Sequence, residues 1–346
     1  PISMILLSIC GTTFGMSEEA LPFYAIFIPI MLSIGYDSMT AFIICFLGPN
    51  LGYCASTIDP FNVLIAQGVI GIEGNPQLWL RAILWVIFTA AGIFWAMRYA
   101  RRVKLDPKSS ITYEDDKQKR IEFSVTDASI EEEFTLRHKL VLIDFAVGMG
   151  VIVWGLVTQG WYMDEISMVF LAMGLLVGIL GGLDEKTIAE EFVRGIADFA
   201  YAACIIGIAR GILVVAEGGM IIDSILNWLV GLLAGAPSFI YTTFMYIVLG
   251  LLSLLVPSSS GLAALTMPVM GPLTELMGLN PGAAVTALQF ANQTVNTISP
   301  VAGMTVAGLA VAKISFGQWW KTIWKFFIFM VLFGLVATVI SGLLPM

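Results

Sequence analysis

The stretch Val256-Pro257-Ser258-Ser259-Ser260-Gly261 sets three hydroxyls and a glycine behind a helix-breaking proline. Further on, Gln289-Phe290-Ala291-Asn292-Gln293-Thr294-Val295-Asn296-Thr297-Ile298-Ser299-Pro300 sets amides and hydroxyls before another. Both stand in sequence apolar enough to lie in lipid. Polar groups and irregular backbone persist at membrane depth where they face protein or a water-filled cavity, so the two stretches predict a binding site. Ser258, Ser259, Ser260 and Gly261 can present hydroxyls and backbone N–H groups at a helix start, where the positive dipole end suits a carboxylate. The alternative is that the serines only satisfy backbone groups freed by Pro257.

Glu18 and Glu19 follow Met16-Ser17 in a second polar interruption. A charged side chain at the bilayer centre costs about 2.5–3.5 kcal/mol on insertion scales, which argues for function. One Glu would bind the cationic end of an amino acid, or a coupling proton or Na⁺; a helix-capping carboxylate is the alternative. Asn50, Thr57, Asp59 and Asn62 in one helix break, with Asn292, Asn296, Thr297 and Ser299 in another, supply the hard oxygens that small cations prefer. Hydrogen bonding between helices is the alternative there, most of all for Asn62. The expected substrate set is therefore Ser17, Glu18, Glu19, Ser258, Ser259, Ser260, Gly261, Asn292, Asn296 and Thr297. The expected ion set is Asn50, Thr57, Asp59 and Ser299, with Na⁺ or H⁺ as coupling ion and no other cofactor. Arg210 either pairs with a substrate carboxylate or locks its own helix in place.

Of 346 residues, 58% are hydrophobic and 12% charged, against about 25% charged in an ordinary soluble domain. The chain reads as an all-α polytopic membrane protein. Its net charge of −8 comes from a chain whose charges concentrate in one loop, and no nucleic-acid footprint exists. The four cysteines fall in apolar runs, without metal or disulfide spacing. His138 sits at a charged loop edge and reads as solvated. No Ser-His or metal-ligand constellation lies at depth and no lysine lies near Ser258 to Ser260, which argues against an intramembrane enzyme, the last of the alternatives. The chain opens at Pro1 inside an apolar run, without initiator Met, basic flank or signal peptide, which predicts a preceding amino-terminal part.

The positioning elements follow in order. Residues 1–76 hold a re-entrant hairpin with its tip at Gly11 to Glu19, then a helix broken from Pro49 to Pro60. Arms of about 10 to 15 residues reach only part way across a core of about 30 Å. Residues 77–100 form a full span, and 101–138 a basic-rich loop that the positive-inside rule sends to the cytoplasm. Residues 139–237 hold scaffold spans, with Trp161-Tyr162 at the outer interface and an amphipathic arm over Leu183 to Arg194 before a span from Ile196. Residues 238–316 repeat the hairpin, in which Pro268 and Pro272 are expected to interrupt the descending arm, and the broken helix. A last span fills 317–346.

The two ends of the chain match each other. Thr57-Ile58-Asp59-Pro60 recurs as Thr297-Ile298-Ser299-Pro300, and Trp79-Leu80-Arg81-Ala82-Ile83 as Trp319-Trp320-Lys321-Thr322-Ile323 at the same offset. Counting spans from the loop opens one hairpin inward and the other outward, which predicts inverted repeats, a signature of secondary transporters.

Phe14-Gly15-Met16-Ser17-Glu18-Glu19, Pro257-Ser258-Ser259-Ser260-Gly261-Leu262-Ala263, Ala209-Arg210-Gly211-Ile212 and Gln289-Phe290 resemble the YfcC family, or C4-dicarboxylate anaerobic carrier-like proteins, of the ion transporter superfamily. The resemblance covers essentially the whole chain. It implies an elevator-type secondary transporter, a homodimer, whose members carry an additional amino-terminal group of helices that this sequence lacks. The expected function is ion-coupled transport or exchange of a small, basic amino acid of the arginine/ornithine kind across the bacterial inner membrane, with membrane lipid and a small solute as partners. A C4-dicarboxylate or short-chain carboxylate carrier, and a cation/proton antiporter, stand as the alternatives.

Overall fold

A computed structural model of the chain describes residues 1–122, 135–159, 161, 163–221, 224, 228, 231 and 237–345; most side chains of 198–217, Arg210 included, lie outside the described residues. Among the described residues every regular element is a helix. In chain order they are α1 (Ile2–Phe14), α2 (Leu21–Ser33), α3 (Ser38–Cys54), α4 (Pro60–Ile70), α5 (Leu78–Leu105), α6 (Tyr113–Glu122), α7 (Leu136–Trp154), α8 (Met163–Gly181), α9 (Glu185–Gly218), α10 (Ser238–Leu255), α11 (Ser259–Leu276), α12 (Gly282–Asn296), α13 (Gly303–Val311) and α14 (Phe316–Leu343). The helices α5, α10 and α14 are long and apolar enough to cross a membrane.

The residues form two compact units, 1–122 with 201–346, and 123–200. In the first unit the order of hairpin, broken helix and long span occurs twice, as α1–α2, α3–α4, α5 and as α10–α11, α12–α13, α14. The two runs exchange partners: α4 packs against α11, where Ile70 covers Gly271, and α13 packs against α2, where Gly308 lies against the Tyr24 ring. In the second unit α7 and α8 pack together, with Met173 filling the space left by Gly148. His138 is exposed and closes a capping box with Thr135 at the start of α7.

Several expected boundaries move. The helix α1 runs through Gly11-Thr12-Thr13, so the first tip shrinks to Gly15-Met16-Ser17. Pro49 and Asn50 belong to α3, because Pro49 opens a new α-helical stretch after a π turn over Ile43–Leu47, where its missing N–H costs little. The first break is therefore only Ala55 to Asp59. Likewise α12 continues through Asn292 to Asn296, leaving the second break from Thr297 to Ala302. Pro268 and Pro272 both sit inside an uninterrupted α11. Each removes one backbone donor, while Thr266 and Thr274 hydroxyls bond back to the carbonyls of Leu262 and Met270 at 2.7 and 2.6 Å. The separate amphipathic arm does not exist either: α9 runs unbroken from Glu185 to Gly218, since Gly195 alone costs a helix only about 1 kcal/mol.

The basic loop is also more ordered than a solvated linker through Glu122. Asp37 accepts from the Tyr99 and Ser110 hydroxyls at 2.7 and 2.6 Å, and Asp116 from the Ser38 hydroxyl at 2.6 Å. Lys119 on α6 lies 3.5 Å from Asp116, both buried; burial holds its ammonium below the ordinary lysine value, and Asp116 opposes that shift. Arg120 donates to the carbonyls of Leu32 and Tyr36 at 2.6 and 2.8 Å, closing the C-terminal end of α2.

The tightest joint in the first unit is the crossing of α1 and α3. A Cβ at Gly11 would meet the Pro49 carbonyl, and one at Gly52 the Ser8 carbonyl, so the two backbones touch without side chains between them. Gly52→Ala must separate these helices. We expect a fall in stability of about 1–3 kcal/mol, seen as a lower melting temperature of the detergent-purified protein. Gly68→Ala on α4, where nothing lies within 4 Å of the added carbon, serves as the control and should leave melting unchanged or higher.

Candidate functional site

Each tip is tied to the break of its own run. The left-handed turn at Gly15, with φ of 73°, leaves the first tip against the Asp59 carboxylate, which a Cβ there would strike. Thr12, near the end of α1, is bound to Thr57 through both backbone and hydroxyl: Thr57 N–H donates to Thr12 Oγ1 and Thr57 Oγ1 to the Thr12 carbonyl, each at 3.1 Å. Asp59 caps α4, its Oδ1 accepting from Phe61 N–H at 2.9 Å.

In the second run Asn292 and Asn296 hold the tip. Asn296 Nδ2 donates to the Pro257 carbonyl at 2.7 Å, and Asn292 Oδ1 accepts from Ser259, Gln293 and Asn296 at 3.0, 3.0 and 3.2 Å. Gln293 also donates to Ser259 Oγ at 2.7 Å. The Tyr53 hydroxyl on α3 donates to the same Ser259 oxygen at 3.0 Å, joining the second tip to the first run.

The breaks themselves are closed in matching fashion. The carbonyl of Thr57 accepts from Asn75 Nδ2 at 2.7 Å, and that of Thr297 from the Trp319 indole N–H at 2.8 Å. Asn75 Oδ1 in turn accepts from Gln67 at 3.2 Å and from Arg81 at 2.6 Å. Arg81 has no exposed surface, and its Nε and Nη2 find no partner among the described residues. Asp59 Oδ2, both polar atoms of Asn62, Gln67 Oε1, both polar atoms of Gln289, Thr294 Oγ1 and Asn296 Oδ1 are buried and unmatched in the same way. Left so, each costs about 1–3 kcal/mol, so solute or ion oxygens and nitrogens binding there would be favoured.

The expected residues divide accordingly. Asp59, Thr57, Ser259, Asn292, Asn296 and Thr297 lie in these networks; Ser299 is buried and caps its own turn through Val301 N–H at 3.4 Å. Glu19 is buried and accepts from Ser17 N–H at 2.9 Å, the geometry of a capping carboxylate, whereas Glu18 is exposed. Ser258 is the exposed N-cap of α11, accepting from Gly261 N–H at 3.2 Å, and Ser260 lies within 3.4 Å of it. Asn50 lies within α3 and accepts from the Cys54 thiol, at the edge of the break, at 3.0 Å. Tyr53, Asn75, Arg81, Gln289 and Gln293 were not anticipated as site residues. Gln289 and Gln293 stand in the quoted polar stretch; Arg81 stands in the repeated Trp-Leu-Arg segment, and both were signals available in the sequence.

Asn292→Ala strips Ser259, Gln293 and Asn296 of a shared acceptor inside the protein. Its expected cost, about 1–3 kcal/mol for each buried group left unpaired, should exceed that of Ser258→Ala, about 1 kcal/mol for a lost cap, when both melting curves are compared.

Comparison with known proteins bears on the whole chain. The model of the DcuC family, C4-dicarboxylate anaerobic carrier, matches residues 1–342. An uncharacterized protein of Haemophilus influenzae is 33% identical over 338 residues, covering 97% of this chain and 66% of its own length. A protein of Escherichia coli named "Putative basic amino acid antiporter YfcC" is 34% identical over 333 residues, covering 93% of this chain and 65% of its own length. The chain thus spans about two thirds of the length of the curated relatives it matches. Among solved structures, the YdaH transporter of Alcanivorax borkumensis aligns with 97% of this chain and 77% of its own at a TM-score of 0.44 and 14% identity. MtrF of Neisseria gonorrhoeae, from a study of antimetabolite efflux pumps, aligns with 99% of this chain and 75% of its own at 0.48 and 16%. The family match over nearly every residue, with a third of positions shared with each relative, shows that this chain belongs to the DcuC family, C4-dicarboxylate anaerobic carrier.

Proposed function

We propose that the chain forms the solute-handling part of an ion-coupled secondary transporter or exchanger of a small basic amino acid in the bacterial inner membrane. The observation that carries this reading is the sign of the charges at the first tip and break. Glu18 and Glu19 follow closely on Gly15, which lies against the Asp59 carboxylate, and among the described residues none of the three forms an ion pair. Unpaired carboxylates in an apolar helical surround call for a cation, either the substrate's amino or guanidino group or a coupling Na⁺ or H⁺. The name of the Escherichia coli relative points the same way. Inverted repeats that move as an elevator, in a homodimer, are part of the proposal; the recurring order of elements and the matched closure of the breaks at Thr57 and Thr297 support the repeats.

Arg81 favours a second reading, a dicarboxylate carrier. A fully buried guanidinium with Nε and Nη2 unmatched is suited to a carboxylate, which it would hold by two parallel hydrogen bonds.

Thermal stabilisation of the full-length protein separates the two. A ligand at a hundredfold excess over Kd adds about 2.7 kcal/mol. Arginine, ornithine or lysine should raise the melting temperature of the parent and fail to do so in the Glu18→Gln/Glu19→Gln variant. A shift with succinate or fumarate instead, kept in that variant and lost in Arg81→Met, would move the assignment to dicarboxylates and leave the glutamates to the coupling ion.

A further inference from the structure

Away from both breaks, the basic ends of α5 and α14 enclose a cavity of about 830 Å³. Arg98 and Arg102 enter it from α5 and Lys321 and Lys325 from α14, so that each helix contributes two cations one turn apart. Like charges at this spacing weaken a helix, and here two such pairs share one cavity. Among the described residues no carboxylate lines it. Acids on neighbouring elements are hydrogen-bonded elsewhere: Asp106 caps its own turn through Lys108 N–H at 3.2 Å, Asp37 accepts from Tyr99 and Ser110, Asp115 from Gln318 at 2.6 Å, and Asp116 from Ser38 beside Lys119. Among the described residues none of the four cations forms an ion pair, so the cavity carries an uncompensated positive charge that an anion would meet.

The rest of the lining says what kind of anion fits. Trp95 and Trp324 stand beside the cations, with Lys325 5.4 Å from the Trp324 ring and Arg102 5.2 Å from that of Tyr99. Tryptophan and long basic side chains side by side mark the headgroup level of a membrane. Along the same two helices Phe94, Met97 and Ile328 are 69%, 52% and 48% exposed, giving acyl chains an apolar flank to follow. A soluble phosphate compound would use the cations and leave that flank bare. The geometry points to a binding site for the phosphate headgroup of an anionic membrane phospholipid, bridging α5 and α14. Basic pockets between membrane helices on the cytoplasmic side are where such headgroups are held. Because α5 and α14 are the long spans that follow the two broken helices, a lipid seated there ties the ends of the two runs together.

The test uses the full-length protein, purified and delipidated in detergent. Cardiolipin and phosphatidylglycerol should raise its melting temperature and be retained in native mass spectra, while phosphatidylcholine should do neither. Affinity for cardiolipin should fall about fivefold for each cation removed, hence more than a hundredfold in R98Q/R102Q/K321Q/K325Q. R98K/R102K keeps the charge and should keep binding, and K321Q/K325Q, altering exposed lysines alone, carries the test if the fourfold variant does not fold. Equal binding by parent and K321Q/K325Q, or no preference for anionic lipid, overturns the proposal. Inorganic pyrophosphate or glycerol phosphate saturating the same shift at lower concentration than the lipid would reassign the cavity to a soluble phosphate compound and overturn the lipid assignment.

Discussion

A helix interrupted inside an apolar surround exposes backbone carbonyls and amides that have no water to turn to, and much of the first unit can be understood as an answer to that. Thr57 and Thr297 occupy corresponding places in the two breaks, and each has its carbonyl closed by a side chain near the start of the next long span, Asn75 just before α5 and Trp319 in the first turn of α14. In one case the donor is an amide, in the other an indole. The tips are fastened to the breaks by the same currency, through Thr12 and Thr57 on one side and through Asn296, Asn292 and Pro257 on the other. Among the described residues, buried side-chain atoms of Asp59, Asn62, Gln67, Arg81 and Gln289 remain unmatched beside these closures.

The two runs are also bound to each other. Apolar contact joins α4 to α11 and α13 to α2, while hydrogen bonds from Tyr53 to Ser259 and between Gln77 and Ser341 also cross between the runs. Ser259 is the centre of the first of these links because it accepts from Tyr53 and Gln293 and donates to Asn292.

The tips and breaks were legible in sequence because Pro, Ser, Asn and Asp inside apolar runs have few other uses, and the repeat of Thr-Ile-Asp-Pro as Thr-Ile-Ser-Pro located both breaks within a few residues. Helix extents were less legible. Pro49, Pro268 and Pro272 read as interruptions, yet a proline costs a helix one donor and a local clash, which neighbours at a first turn or in a packed arm absorb. Three consecutive serines read as one site, but successive helical side chains turn by about 100°, so Ser259 faces inward while Ser258 stays exposed and caps. In sequence Arg81 stands only as one member of the repeated Trp-Leu-Arg segment. Its burial depends on Asn75, a loop residue whose role no periodicity marks. The polar order of residues 101–122 was hidden for a similar reason, since a charged stretch reads as solvated until Asp37 and Ser38 are seen to supply its partners.

The crossing of α1 and α3 has a mechanical corollary. Gly11 and Gly52 bring backbone onto backbone, and a seam without side chains has no rotamers to exchange and no ridge to slide along. Any displacement of the first hairpin therefore carries α3, and with it Tyr53 and the rim of the first break, as one rigid piece. The joints at which such a piece can bend are the places where the chain already turns through glycine, Gly15 at the tip and Gly35 between α2 and α3.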